Sequence, residues 1–169
     1  MRYVFVNVIA NGQVDFKSPY TAAHQPGIRE CFMIFAGDDD GPQVTAELSG
    51  PTGFNLTKYS DMIGYGDVVV VGHSVEFHVG YLRAALISAG LDPHDGRVKT
   101  ICSMMSLTGV APKANGRRGW PTFGEACAWA GVERAATESA EDNARCLVQV
   151  FRAMQKAGAE PEPKIWKER

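Results

Sequence analysis

Apolar and polar positions change period several times along the chain, and each change marks an element. Tyr3-Val4-Phe5-Val6-Asn7-Val8-Ile9 is β-branched and aromatic and ends at Asn11-Gly12, which predicts a strand and then a turn. Residues 13–27 are polar and hold Pro19, Pro26 and Gly27, the chemistry of a loop. Glu30 to Ala36 predicts a second strand. Gly37-Asp38-Asp39-Asp40-Gly41-Pro42 supplies a turn, and Val44 to Leu48 a third strand, so the chain should open as an antiparallel meander. Gly50 to Asn55 is turn-like, and residues 56–66 have room for one short helix.

Asp67-Val68-Val69-Val70-Val71-Gly72 is apolar without alternation, as expected of a strand covered on both faces. From Glu76 to Ala89 the spacing turns helical: Val79, Leu82, Ala85, Leu86 and Ala89 recur at three and four, and Gly90 ends the run. Val98 to Met105 predicts a short strand with a helical turn after it. A loop follows over residues 112–119. Thr122 to Ala130 reads as a short helix between Pro121 and Gly131. Glu138 to Lys156 reads as a long one, with Ala144, Leu147, Val148, Phe151 and Met154 on one face. The final PEPKIWKER reads as a tail. The expectation is an α/β domain over residues 1–157, a mixed sheet with flanking helices, and a tail over 158–169.

Composition narrows this only a little. The chain has 169 residues, 45% hydrophobic and 21% charged, ordinary values for one globular domain. No run reaches the ~18 apolar residues of a membrane span, and the first residues lack a signal-peptide cleavage site, so a cytoplasmic protein without a membrane partner is expected. A net charge of −2 argues against a broad basic face that coats nucleic acid, though not against a pocket for one strand end. Cys31, Cys102, Cys127 and Cys146 are scattered, with no CxxC pair, and are expected to be reduced thiols, mostly buried. Phe5, Phe32 and Phe35 are expected in the core. Lys113, Arg117 and Arg118, with Trp120 beside them, form the basic cluster of the chain, a pairing that can grip a single strand by phosphate contact and stacking.

Four segments carry a resemblance. VVVVGHSVEFHVGYLRAALISAGL is similar to the second motif region of the DEDDh 3′–5′ exonucleases, where a buried strand ends in Gly-His-Asn and a helix begins near Phe-Asp. TESAEDNARCLVQVF resembles their third motif, His-x-Ala-x-x-Asp-Ala-Arg, and RGWPTFGEA resembles the stretch before it. FVNVIANG sits where the family has Asp-x-Glu-Thr-Thr-Gly. The resemblance spans roughly residues 3–155. It departs in the short gap between Phe54 and Val68, where many relatives carry an extra helical stretch. It implies a ribonuclease-H-like fold, two divalent metals held by four carboxylates, and a histidine that deprotonates water. Several relatives dimerise, so it also admits a homodimer.

Every catalytic position differs. Asn7 stands for the first Asp, Ile9 for the Glu, His78 for the second Asp, Asn143 for the last Asp and Glu138 for the His. Amides bind hard cations weakly and Ile9 offers no ligand. No metal cofactor is therefore expected, with Mg or Mn binding weak or absent. Asp142 lies next to Asn143, but one helical step turns a side chain by about 100°. Glu76 is expected to cap its helix or face water.

The expected activity is a pseudo-exonuclease that binds nucleic-acid ends or nucleotides without hydrolysis, using His73, Ser74, Lys113, Arg117, Arg118 and Trp120. His73 is also a candidate for a purely structural histidine at the strand end. The alternatives are a protein-interaction or inhibitor module on the same scaffold, and an active exonuclease with an unorthodox metal site.

Overall fold

Alternation along the first strand decides how the molecule is layered. In the computed structural model, which describes residues 2–37, 48–49, 56–64, 66–113, 115–116, 119–134 and 139–167, β1 covers Arg2–Ala10. Its even positions Val4, Val6 and Val8 enter one apolar cluster, and its odd positions Tyr3 and Phe5 enter another. Successive side chains of a strand point to opposite faces, so both clusters grow from one sheet.

β2 (Ile28–Ala36) pairs antiparallel with β1, and β3 (Leu48–Ser49) antiparallel with β2. This is the expected meander; residues 38–47 of its turn and third strand, and the expected turn at 50–55, lie outside the described residues. β4 (Val68–Gly72) and β5 (Lys99–Cys102) extend the sheet in parallel on the other side of β1. With β6 (Lys164–Ile165) the order is β3-β2-β1-β4-β5-β6. The fold is α/β with a mixed sheet.

Helices cover both faces. α1 (Leu56–Gly64) and α2 (Val75–Ser88) supply Tyr59, Ile63, Val79, Leu82 and Leu86 to the cluster of even β1 residues. α3 (Ser103–Ser106) is one turn after β5. α4 (Phe123–Ala130) and α5 (Ala140–Lys156) supply Ala126, Leu147, Phe151 and Met154 to the other cluster. The four valines of β4 are buried, as an uninterrupted apolar strand requires. Phe5 and Phe32 are core residues, whereas Phe35 packs at its margin. Cys31, Cys127 and Cys146 are buried free thiols; Cys102 is half-buried. Among the described residues no helix is long and apolar enough to cross a membrane.

Two boundaries need correction. α5 begins at Ala140, because the Ser139 side chain accepts the Asp142 N–H at 3.0 Å and fixes the N-cap there. The segment expected as a tail returns to the sheet: β6 pairs antiparallel with β5, the Trp166 N–H donates to the Val98 carbonyl at 2.8 Å, and the Trp166 side chain is buried. Burying an indole outweighs the polar composition around it.

Candidate functional site

Strand β1 outruns β4. Their pairing stops at Phe5 with Val71, so beyond this point β1 has no strand on that side. The residues that follow, Asn7 to Ala10, line a cleft of about 560 Å³. Asn7 and Ile9 are odd positions and share the face that carries α5. Asn143 enters the cleft from the first turn of α5, His73 from the turn after β4, and Phe77 and His78 from the start of α2. Thr122, Phe123 and Gly124 line it from the start of α4. Four of the five substituted positions, Asn7, Ile9, His78 and Asn143, thus meet in one cavity. The fifth, Glu138, lies outside the described residues.

His78 does the work of a missing strand. Its Nδ1 accepts the Val8 N–H at 3.0 Å, and its Nε2 donates to the His73 carbonyl at 3.0 Å. Both partners are backbone groups, so the ring is neutral with its proton on Nε2. Burial pulls its pKa down to about 4, with the nearby His73 ring adding to the shift and the His73 carbonyl opposing it. Gly72 makes room for this ring: a Cβ there would sit 3.0 Å from His78 Cδ2 and 3.0 Å from Val75 Cα. His73 is engaged in the same manner. Its Nε2 donates to the Pro121 carbonyl at 3.1 Å, and its Nδ1 lies 3.0 Å from the Ser103 hydroxyl. Burial lowers it to about 4; the Pro121 carbonyl opposes this and the Arg134 charge adds to it. Both imidazoles therefore spend their nitrogens inside the fold.

The charge of the cleft comes from a residue outside the motifs. Arg134 lines it, and its Nη2 donates to Asn143 Oδ1 at 3.3 Å. Its guanidinium lies 5.4 Å from the centre of the Phe123 ring, a cation–π distance. Asn7 Oδ1 is buried and has no hydrogen-bond partner. Among the described residues no carboxylate lines this cleft. The neighbouring acids are committed elsewhere: Asp142 Oδ2 accepts from the Ser139 hydroxyl at 2.8 Å, Glu141 pairs with Arg145, and Glu30 Oε2 accepts the Ala140 N–H at 3.0 Å.

A pair of divalent cations does not fit these residues. His78 has no lone pair to spare, Ile9 is apolar, and a guanidinium already holds Asn143 Oδ1. Hard cations need anionic oxygens, and the described lining offers only amides and a hydroxyl.

A second hollow, of about 330 Å³, adjoins the first and shares Phe77 with it. Phe16, Tyr20, Trp120, Trp166 and Met105 line it, with Ser74 and Glu76 at the start of α2. Phe16 is 74% exposed, Trp120 58% and Met105 47%. Tyr20 settles against α2 because residue 80 is glycine; a Cβ there would stand 2.3 Å from the Tyr20 ring. Ser74 has φ 62° and makes no side-chain cap bond.

The residues expected to bind nucleic acid are thus divided. His73 lines the cleft, and Ser74 and Trp120 line the aromatic hollow. Lys113 lines neither, its Nζ turning toward Gly119, and Arg117 and Arg118 lie outside the described residues. Sequence reasoning missed Arg134 and Phe16. Arg134 follows the helix-ending Gly131 in a stretch that no motif covers; Phe16 stands with Tyr20 in an otherwise largely polar loop, and that pair of aromatics was the available signal.

Neither a family model nor a curated protein sequence matches the chain.

Proposed function

We propose that the chain is a ribonuclease-H-like domain on the plan of a DEDDh exonuclease that holds a nucleic-acid end or a nucleotide without hydrolysing it. One observation carries this: Asn7 and Ile9, His78 and Asn143, from three separate segments of the chain, line a single cleft, and none is an acid. The meander continued by two parallel strands supports the same plan. So does the chemistry of the lining. Removing carboxylates from the cleft removes repulsion toward an anionic ligand, and Arg134 leaves the described lining with a positive charge. The adjoining hollow offers Phe16, Phe77 and Trp120 to a flat ring; bases stack on such side chains with little regard for sequence.

The test is binding of a short 3′-labelled single strand, with magnesium and with chelator, followed by sizing of the recovered strand. Binding that ignores metal, with the strand intact, is expected. A shortened strand would restore the reading as an active exonuclease with an unorthodox site. The exposure of Phe16, Met105 and Trp120 around one hollow favours a second reading, a protein-interaction surface. Absence of strand binding would move the weight to it.

A further inference from the structure

The aromatic hollow does not end where its rings do. A third hollow, also of about 330 Å³, shares Glu76, Trp166 and Lys167 with it, and shares none of its described lining with the cleft. The three therefore follow one another. Phe77 joins the first two, and the C-terminal segment joins the last two. That segment brings two cations to the row: Lys167 lines the second and third hollows, Lys164 lines the third, and both are exposed. We infer that a single strand of nucleic acid with one end in the cleft runs outward over the aromatic hollow and crosses the C-terminal segment, where Lys164 and Lys167 contact its phosphates.

Three features support this path. The lysines stand on fixed backbone: β6 pairs with β5, and between the two lysines the Trp166 side chain is buried and its N–H donates to the Val98 carbonyl at 2.8 Å. Their charge is uncommitted. Among the described residues neither ammonium has a hydrogen-bond or ion-pair partner, whereas Glu76, the carboxylate in the described lining of these two hollows, has a partner of its own. Of the acids nearby in the chain, Glu160 accepts from the Tyr3 hydroxyl at 2.8 Å and Glu162 lines neither hollow. The order of the chemistry is the third feature. Phe16, Phe77 and Trp120 come first and the two cations after them, which suits a chain that offers bases to stack and phosphates to pair. An apolar partner would cover the rings and leave both ammoniums without a counter-charge.

This path rests on the reading of the cleft as a holder of strand ends, and the experiment lets the two fail separately. Affinity is measured by fluorescence anisotropy for a ten-nucleotide single strand and for a dinucleotide, both labelled at the 5′ end, across a series of potassium chloride concentrations in chelator. Wild type is compared with the double variant Lys164→Gln, Lys167→Gln and with Trp120→Ala, after their thermal midpoints are matched. All three replaced side chains are exposed, so folding is expected to survive each change. The double variant should bind the longer strand about ten-fold more weakly at low salt. Its salt slope should be shallower by about 1.4, since each phosphate contact of a single strand contributes about 0.7. Its hold on the dinucleotide should not change. Trp120→Ala should weaken the longer strand about ten-fold with the slope unchanged, as loss of one stacked base requires. If the double variant binds the longer strand as wild type does, with the same slope, the path is wrong and only the cleft's hold on an end survives. If the longer strand binds through the lysines and the dinucleotide does not bind, the path stands and the end-holding reading falls. If wild type binds neither probe, the inference is overturned and the surface passes to a protein partner.

Discussion

His78 shows how one substitution can convert a reactive position into a structural one. An aspartate at the start of a helix can reach a metal; an imidazole there reaches two backbone groups that the end of β4 leaves without strand partners. Truncation by His78→Ala would strand the Val8 N–H and the His73 carbonyl and open a void under Gly72. Each buried unsatisfied group costs about 1–3 kcal/mol, so a loss of roughly 3 kcal/mol in unfolding free energy is expected, to be read from urea denaturation. The same geometry fixes a pH dependence. The pKa values of His73 and His78 fall from 6.5 to about 4 on folding, so between those values the unfolded chain binds more protons. Stability is then fully present above pH 6.5 and declines as pH falls toward 4, by up to about 1.4 kcal/mol per pH unit for each ring. Unfolding curves across this window check the sign. A His78→Gln variant, which keeps an acceptor without a titratable group, should show a shallower decline than wild type.

At the scale of elements, what was legible in the sequence was what periodicity encodes. The alternation of β1, the unbroken valines of β4 and the helical spacing of α2 and α5 each announce burial on one or two sides, and each element formed where that pattern stands. The resemblance to the exonuclease motifs implied a shared site for Asn7, Ile9, His78 and Asn143, and the four line one cleft. What stayed hidden depends on partners distant in the chain. Nothing in PEPKIWKER alternates, so the return of Trp166 to the edge of the sheet is written in the exposed side of β5 and not in its own neighbours. Arg134 was invisible for a similar reason: a loop residue acquires its role from where the preceding helix ends, and Gly131 aims it. The hydrogen bonds of His78 could not be foreseen either, since they depend on β4 stopping before β1 does. The C-terminal segment supplies a direct check. Trp166 is 6% exposed, and Trp166→Ala should cost about 3 kcal/mol, measured by denaturation. A true tail would tolerate the change with no loss.

For the whole molecule, the consequence of an internal cation is that restoring acids is not enough to restore a metal site. Asn7→Asp, Ile9→Glu and Asn143→Asp together would place three carboxylates on the α5 face of the cleft. His78 is left untouched because it ties β1 to the turn after β4. In this variant the new carboxylate at position 143 faces the Arg134 guanidinium, which now lies 3.3 Å from the Asn143 oxygen, and an ion pair forms where a metal would need an open ligand. A bidentate guanidinium–carboxylate pair competes well with a divalent ion that must first shed water. Titration of manganese, followed by its electron paramagnetic resonance signal, is therefore expected to show weak binding in the triple variant. Adding Arg134→Gln frees the carboxylate and removes a repelling charge, and should tighten manganese binding by about ten-fold or more. Equal manganese binding with and without Arg134 would mean that the guanidinium swings clear of the cleft when a metal arrives, and that the missing acids alone keep metal out of this fold.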